Sequence, residues 1–200
     1  MGKIIILMGK SGSGKDTIYA RLLKDNPYQL QTITTCTTRP MRDGEMEGRE
    51  YYFKTTEQMH QMKQLKQIVE LRTYQTMFGP WHYFTVAQSI DLNVHNYITI
   101  NTLVGYDQFV SYYGNESIIP ILLQMDDGIR LQRALGREQT QANPRYEEMC
   151  RRFLADAEDF SLENIQKRNI NADNIIDNSS TVEETVQKVY KILDKHFKIS

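Results

Sequence analysis

The chain has 200 residues, with 24 Lys and Arg against 25 Asp and Glu, so its formal charge is −1. A hydrophobic fraction of 40% and a charged fraction of 24% exclude a largely disordered protein. The charge balance disfavours a protein that binds nucleic acid backbones or anionic membranes. The length predicts one domain, residues 1–200.

The two cysteines, Cys36 and Cys150, are far apart and predict neither a disulfide framework nor a metal cluster. This cysteine usage is typical of a reducing compartment. The apolar run at residues 4–8 is too short for a membrane span or a signal peptide. We therefore expect a cytoplasmic protein without a membrane segment.

Short β-type segments alternate with helical patterns along the chain, which predicts an α/β fold. The near-continuous apolar content of the first and fourth segments favours strands of a parallel sheet that is buried on both faces. Strands are expected at residues 3–8, 30–35, 96–102, 118–125 and 174–177.

The helical patterns between these strands carry their own start signals. Residues 15–24 place three apolar side chains on one face, and later helices follow capping boxes or an N-cap with proline. The second helix is expected to end near residue 66 and the third near residue 159. The three start signals are Thr55 with Gln58, Asn143 with Pro144, and Ser180 with Glu183.

Two stretches interrupt this alternation. Residues 36–85 predict an inserted lobe with a small antiparallel or mixed sheet, because short β runs lie at residues 51–53, 68–74 and 81–84. Residues 137–143 are polar and aperiodic, which predicts a mobile loop between two helices. The expected architecture is a three-layer α/β core with a parallel sheet, formed by residues 1–35 and 86–200, with a short lid at residues 136–144.

A glycine-rich segment follows the first predicted strand and precedes the first predicted helix. Its residues fit the pattern G-x-x-x-x-G-K, whose backbone N–H groups and following helix dipole bind phosphate. Lys15 adds a full positive charge for the β- and γ-phosphates. The predicted phosphate-binding residues are Gly9, Lys10, Ser11, Gly12, Ser13, Gly14 and Lys15.

The position after this lysine departs from the pattern, because Asp16 stands where a Ser or Thr hydroxyl would meet Mg²⁺. Three interpretations stay open. Asp16 contacts the metal through water, Thr17 takes over the hydroxyl role, or binding is weakened by the added negative charge.

A second segment, residues 34–45, is dense in hydroxyls and contains Arg39 and Arg42, which can bind one phosphate together. From residue 37 to residue 53 the chain reads Thr-Thr-Arg-x-x-Arg-x-Gly-Glu-x-x-Gly-x-x-Tyr-x-Phe. This long, irregular motif resembles the signature of guanylate kinases. With the phosphate loop, the resemblance extends from residue 3 to about residue 197.

The resemblance implies that the inserted lobe binds GMP. It assigns the acceptor phosphate to Arg39, Arg42 and Tyr51, and the guanine base to Thr35 and Glu70. A carboxylate suits guanine, because the base presents two adjacent donors, N1–H and N2–H, whereas adenine presents neither.

Beyond residue 78 the resemblance is looser. Tyr83 is the expected second tyrosine on the phosphate, with His82 as the alternative, and Thr85 is expected near the base. Where the family has acidic residues near the metal and guanine, this chain has Thr99, Asn101 and Thr102, of which Thr102 is assigned to GMP. Mg²⁺ is then expected to rest on phosphate oxygens and waters.

Three arginines resemble those of the family's lid, namely Arg133, Arg137 and Arg152. The resemblance implies that they close over the triphosphate, although the alternative of ion pairs on helix faces stays open. Asn178 resembles an asparagine on the adenine side.

The function implied is phosphoryl transfer from ATP to GMP with Mg²⁺, with Lys15, Arg39, Arg137 and Arg152 as the catalytic residues. The expected partners are these small nucleotides, with no nucleic acid and no membrane, and the chain is expected to be a monomer or a homodimer. The alternatives are a kinase for another nucleotide, such as dGMP or IMP, and a non-catalytic binding module of the same fold.

Overall fold

The computed structural model describes residues 1–76 and 78–197. Its strands are β1 (Ile4–Met8), β2 (Leu30–Thr32), β3 (Cys36–Thr37), β4 (Tyr52–Phe53), β5 (Ile68–Thr76), β6 (Gly79–Val86), β7 (Asn96–Ile100), β8 (Ile118–Gln124) and β9 (Ile175–Asp177). Its helices are α1 (Lys15–Asp25), α2 (Thr56–Gln64), α3 (Leu103–Tyr113), α4 (Asp127–Gln139), α5 (Tyr146–Asp159), α6 (Leu162–Gln166) and α7 (Val182–Phe197).

A parallel five-stranded sheet has the order β2-β7-β1-β8-β9. All five residues of β1 are buried, which explains its uninterrupted apolar sequence. The five predicted strands therefore form the predicted sheet, and the α/β fold is confirmed.

A second, mixed sheet has four strands in the order β4-β3-β6-β5. Its strands β5 and β6 form an antiparallel hairpin, and β3 pairs parallel with β4. One face of this sheet packs on α2 through Cys36, Met59 and Phe84, all of which are buried. Burial raises the pKa of the Cys36 thiol to about 11, so this cysteine serves packing.

The chain divides into two compact units. Unit 1 comprises Met1–Ile4, Gln29–Thr99 and Val104–Ile118, and it contains the second sheet. Unit 2 comprises Ile5–Tyr28, Ile100–Leu103 and the chain from Ile119 onward, and it contains the glycine-rich segment.

The structure confirms one predicted helix start and corrects two others. Thr55 and Gln58 form the predicted capping box of α2. The last helix begins one residue later than predicted, because Thr181 and Glu184 exchange the capping hydrogen bonds. Helix α5 begins at Tyr146 rather than after Asn143, with Arg145 as its N-cap residue.

One helix end and two whole helices also differ from the sequence prediction. Helix α4 continues through Gln139, so the predicted loop at residues 137–143 begins with helical residues. The loop was predicted too long because α4 ends in polar and charged residues, including the buried Glu138, and such a sequence resembles that of a loop. Helices α3 and α6 were not predicted. Within the described ranges, no helix is both long enough and apolar enough to cross a bilayer.

Candidate functional site

The glycine-rich segment of unit 2 forms a tight loop between β1 and α1. Gly9, Gly12 and Gly14 have φ values of 146°, 80° and 87°, a region that L side chains rarely adopt. A Cβ on Gly9 would lie 2.4 Å from the Leu123 carbonyl oxygen, and one on Gly14 would lie 2.5 Å from Asn178 Nδ2. The loop therefore requires glycine for both its backbone conformation and its close neighbours.

Lys15, the first residue of α1, spans this loop. Its Nζ donates a hydrogen bond to the Lys10 carbonyl oxygen at 2.9 Å. Burial lowers the pKa of the Lys15 ammonium, and the carboxylates of Asp16 and Asp156 partly offset that effect. An anion within the loop would add charge of the same sign as these carboxylates and would favour the protonated lysine.

An arginine that was not predicted as a site residue binds the backbone of this loop. Arg130, on α4, is 1% exposed, and its Nε donates to the Ser11 carbonyl oxygen at 3.0 Å. Asp156, on α5, accepts from the Ser11 backbone N–H at 2.6 Å and lies 3.5 Å from Arg130 Nη2. Both backbone polar groups of Ser11 are thus bound by one ion pair. We call Arg130 and Asp156 the loop clamp.

Two further contacts fix the loop clamp. Arg130 Nη1 donates to Asp127, and its guanidinium carbon lies 4.6 Å from the centre of the Phe153 ring. The spacing of Asp127 and Arg130 within one helical turn is visible in the sequence. The contact with Asp156 joins two helices and leaves no such signal.

Asn178 lies directly after β9 and binds the backbone of the glycine-rich loop. Its Nδ2 donates to the Ser13 carbonyl oxygen at 2.7 Å, and its Oδ1 accepts from the Thr185 hydroxyl at 2.6 Å. The sequence analysis assigned Asn178 to the adenine side of ATP. In the structure its contacts are with the loop and α7, so it supports the loop directly.

A cavity of about 330 Å³ opens at the start of α1. Seven of the residues predicted to bind ATP line it together with Arg137, a predicted catalytic residue. These seven are Gly12, Gly14, Lys15, Asp16, Thr17, Arg133 and Asn178. Gly9, Lys10 and Ser13 instead line a neighbouring cavity of about 610 Å³ beside the end of β8.

Two aspartates follow β8, and both have partners within the protein. Asp126 is the N-cap of α4 and accepts from the Ile129 N–H at 3.1 Å, whereas Asp127 pairs with Arg130 and Lys10. Over residues 1–76 and 78–197 there is no group of three His, Cys, Asp or Glu side chains suited to a metal ion. Asp16 and Thr17 are exposed in the first turn of α1.

The structure does not bring all three lid arginines together. Arg133 and Arg137 line the cavity at α1, but Arg152 lines another one, of about 540 Å³, beside the connection from α4 to α5. Arg152 is half exposed and pairs with Glu148 at 3.3 Å. The predicted alternative of a helix-face ion pair thus describes Arg152 in this structure, with Glu148 as its partner.

The arginine-rich segment of unit 1 follows β3. Arg39 is 4% exposed, and its guanidinium binds both carboxylate oxygens of Glu45, at 2.7 and 3.0 Å. The same hydrogen bonds lower the pKa of Glu45 to about 2. The bond to Glu45 also raises the pKa of Arg39 despite its burial, and the Tyr83 hydroxyl acts in the same direction. Arg42 is exposed, and its backbone binds Glu45: its N–H donates to Glu45 Oε2 at 2.8 Å, and its carbonyl oxygen accepts from the Glu45 N–H at 3.1 Å.

Two predicted tyrosines surround this arginine. The guanidinium carbon of Arg39 lies 5.3 Å from the centre of the Tyr51 ring, and the rings of Tyr51 and Tyr83 pack edge to face at 5.6 Å. His82, the alternative to Tyr83, instead binds Thr73 through Nδ1 at 2.9 Å. Adjacent strand residues face opposite sides of a sheet, so His82 and Tyr83 face different sides, and Tyr83 is the one that lies beside Arg39.

Two of the three residues predicted near the base, Glu70 and Thr85, lie on the same pair of strands as Tyr83. Glu70 on β5 pairs in register with Thr85 on β6, and the Thr85 hydroxyl donates to Glu70 Oε1 at 3.1 Å. Both residues are buried, at 1% and 2% exposed. Thr35 is half-buried, and its carbonyl oxygen accepts from the Tyr52 N–H at 3.0 Å.

Thr102 lies in unit 2 at the end of β7, where its N–H binds Asn101 Oδ1 at 2.9 Å. Asn101 is buried and its own N–H binds the Leu7 carbonyl oxygen at 3.0 Å. Neutral side chains therefore occupy the end of this strand, as the sequence analysis noted.

Comparison with known proteins finds guanylate kinases. The family model described as guanylate kinase matches residues 1–119, which include the phosphate loop and the whole second sheet but neither the lid arginines nor Asn178. The chain is 39% identical over 92 residues to a guanylate kinase of Mycoplasmoides gallisepticum, which is 46% of this chain and 47% of that protein. It is 30% identical over 126 residues to one of Porphyromonas gingivalis, or 62% of this chain and 65% of that protein. The matches thus span about half to two thirds of these relatives.

The fold has a counterpart among solved structures. The crystal structure of guanylate kinase from Anaplasma phagocytophilum superposes with a TM-score of 0.61 over 98% of this chain and 86% of that one, at 23% identity. This similarity establishes the fold, and the family model matches more than half of the chain. The chain belongs to the guanylate kinase family.

Proposed function

We propose that the chain transfers the γ-phosphoryl group of ATP to GMP, giving ADP and GDP. The observation that carries this proposal is a buried carboxylate and hydroxyl, Glu70 and Thr85, on the strand pair that also bears Tyr83. A carboxylate accepts both N1–H and N2–H of guanine, and adenine would leave it unpaired. Membership of the guanylate kinase family supports the same pair of substrates.

The acceptor phosphate would be held in unit 1. Arg39 offers a fixed planar guanidinium beside the rings of Tyr51 and Tyr83, and Arg42 is exposed nearby in sequence. Arginine binds phosphate through parallel hydrogen bonds, and tyrosine hydroxyls add donors. Glu45 keeps Arg39 in place before the nucleotide arrives.

The triphosphate would be held in unit 2. The amides of the phosphate loop and Lys15 would bind its phosphates, and Arg133 and Arg137 line the same cavity. Mg²⁺ would accompany ATP as part of the substrate and neutralise phosphate charge. Asp16 and Thr17 fit such an ion, because Mg²⁺ keeps most of its waters and needs only one or two protein oxygens.

No covalent intermediate is required for this reaction. A phosphate oxygen of GMP would attack the γ-phosphorus in line, and negative charge spreads over the transferred group in the transition state. Lys15, Arg39, Arg137 and Arg152 would neutralise that charge, so catalysis comes from positioning and electrostatics. The intact lysine and glycines of the loop favour this enzyme over a non-catalytic binding module. A cytoplasmic location and a monomeric or dimeric state stay predictions.

The proposal is tested by ADP release with Mg·ATP and five acceptors in parallel: GMP, dGMP, IMP, AMP and UMP. We expect turnover to be fastest on GMP. Glu70→Gln should lower kcat/KM for GMP about 100-fold, since it removes charged hydrogen bonds to the base, and should leave KM for ATP unchanged. Faster turnover on AMP or UMP, or none on any acceptor, would contradict the proposal.

A further inference from the structure

Glu70 has a second partner that the resemblance to guanylate kinases does not assign. Arg72 lies two residues along β5 and therefore on the same face of the sheet. Its Nε donates to Glu70 Oε2 at 3.1 Å, and its Nη2 lies 3.4 Å from Oε1. The Glu70 side chain is 0% exposed, whereas that of Arg72 is 26% exposed. A buried carboxylate is thus paired with a half-buried guanidinium at its side.

The remaining hydrogen-bonding capacity of Glu70 matches one kind of base. Thr85 donates to Oε1 and Arg72 Nε donates to Oε2, each at 3.1 Å, and Arg72 Nη2 adds a longer bond to Oε1 at 3.4 Å. A carboxylate oxygen has two acceptor positions, so Oε2 keeps one for a ligand, and Oε1 gains one when a base displaces the longer bond. Two acceptors side by side fit the adjacent N1–H and N2–H donors of guanine. They fit the single N1–H of hypoxanthine less well.

The ion pair also fixes the direction of this carboxylate. Two guanidinium nitrogens of Arg72 bind its two oxygens, and the Thr85 hydroxyl on the neighbouring strand binds Oε1. A carboxylate held at both oxygens has little rotational freedom, so its acceptors keep one direction toward a base.

We propose that Arg72 is a positioning residue that orients the Glu70 carboxylate, and thereby favours a 2-amino-6-oxopurine over a 6-oxopurine without the amino group. The inference rests on the proposed phosphorylation of GMP. It assigns no contact between Arg72 and the nucleotide, since the effect passes through Glu70.

A different role for Arg72 would have a different kinetic effect. Arg72 pairs in register with Tyr83, which is predicted to bind the acceptor phosphate. An arginine that bound this phosphate would serve GMP and IMP equally, because their phosphates are identical. An arginine that orients Glu70 serves GMP more, because GMP makes two bonds to the carboxylate and IMP only one. The ratio of kcat/KM for GMP to that for IMP separates the two roles.

The experiment measures kcat and KM for GMP and IMP, at saturating Mg·ATP, with the full chain and three variants. In Arg72→Met we expect kcat/KM for GMP to fall about 30-fold and that for IMP less than about 5-fold, as for one charged hydrogen bond lost. Arg72→Lys should recover part of the difference, because it keeps the charge. Arg21→Met removes an exposed ion pair with Asp25 on α1 and should leave the ratio unchanged.

A second measurement, on Arg72→Met combined with Glu70→Gln, tests the inference even if Arg72→Met folds poorly. Glu70→Gln carries no buried charge, so adding Arg72→Met to it should lower kcat/KM for GMP by less than about 3-fold more. The inference would be overturned if Arg72→Met lowered kcat/KM for GMP as much in the Glu70→Gln background as in the unmodified chain. Equal losses of kcat/KM for GMP and IMP in Arg72→Met alone would overturn it as well. Failure of the unmodified chain to phosphorylate GMP would instead refute the proposed function, so the two failures are distinguishable.

Discussion

The arginines of the two units differ in how they are held before any ligand binds. In unit 1, Arg39 is buried, doubly bound to Glu45, and covered by the Tyr51 ring. In unit 2, Arg137 is exposed on α4, and Arg152 is exposed on α5, where it pairs with Glu148 at the surface. A side chain that is already fixed loses little conformational entropy on binding, whereas an exposed arginine must first be ordered.

This difference suggests a division of labour between binding and catalysis. A fixed arginine stabilises the bound substrate and the transition state alike, and so acts mainly on KM. Arginines that become ordered only around the transferred phosphoryl group stabilise the transition state preferentially, and so act mainly on kcat. Substitutions in the two units should therefore change different kinetic constants.

The largest effect is expected for Arg137→Met. Loss of a charge that neutralises the transferred phosphoryl group should lower kcat about 1,000-fold, with KM for GMP changed less than about 3-fold. Steady-state kinetics with GMP and Mg·ATP measure both constants. Arg151→Met, which removes an exposed arginine paired with Glu148, is the matched control. A raised KM for GMP with kcat intact would contradict the division.

A smaller effect, with the opposite kinetic signature, is expected for Arg39→Met. Two charge-assisted hydrogen bonds to the acceptor phosphate would be lost, so KM for GMP should rise about 100-fold. KM for ATP should stay the same, and calorimetric titration should show the loss in GMP affinity directly. Equal loss of affinity for both nucleotides would indicate a general defect of the fold instead.

The sequence predicted those parts of the two sites that depend on local spacing. The phosphate loop needs glycines at fixed intervals, and the capping box of α2 joins residues three apart, so both are visible in the chain. The base site required the family resemblance, because Glu70 and Thr85 meet only when β5 and β6 pair in register. Long-range contacts of this kind leave no local pattern.

The loop clamp, Arg130 with Asp156, was not predicted from the sequence. Arg130 lies in a polar segment and would ordinarily be expected on the surface, yet it is 1% exposed. Its burial depends on Asp156, which comes from a different helix. Predicted helix starts at residues 143 and 180 were wrong for a related reason, because several neighbouring residues can cap a helix and tertiary packing selects among them.

The smallest effect is expected for Arg130→Met, which opens the loop clamp at similar side-chain volume. The Ser11 carbonyl oxygen would lose its partner and Asp156 its counter-charge, so KM for ATP should rise about 10-fold while KM for GMP stays constant. Kinetics at fixed GMP measure the change. Asp156→Asn added to Arg130→Met should cost less than the two single changes together, because both act on Ser11. Full additivity would mean that the two residues act independently.

The proposed reaction is tested most directly by phosphorus NMR spectra of the full chain with GMP and Mg·ATP. GDP and ADP should form in equal amounts. Lys15→Met should slow their formation about 1,000-fold, since it removes a preorganised charge from the transferred phosphate. Lys24→Met, in the exposed last turn of the same helix, should not. ADP formed without GDP, or equal rates in the two lysine variants, would contradict the account.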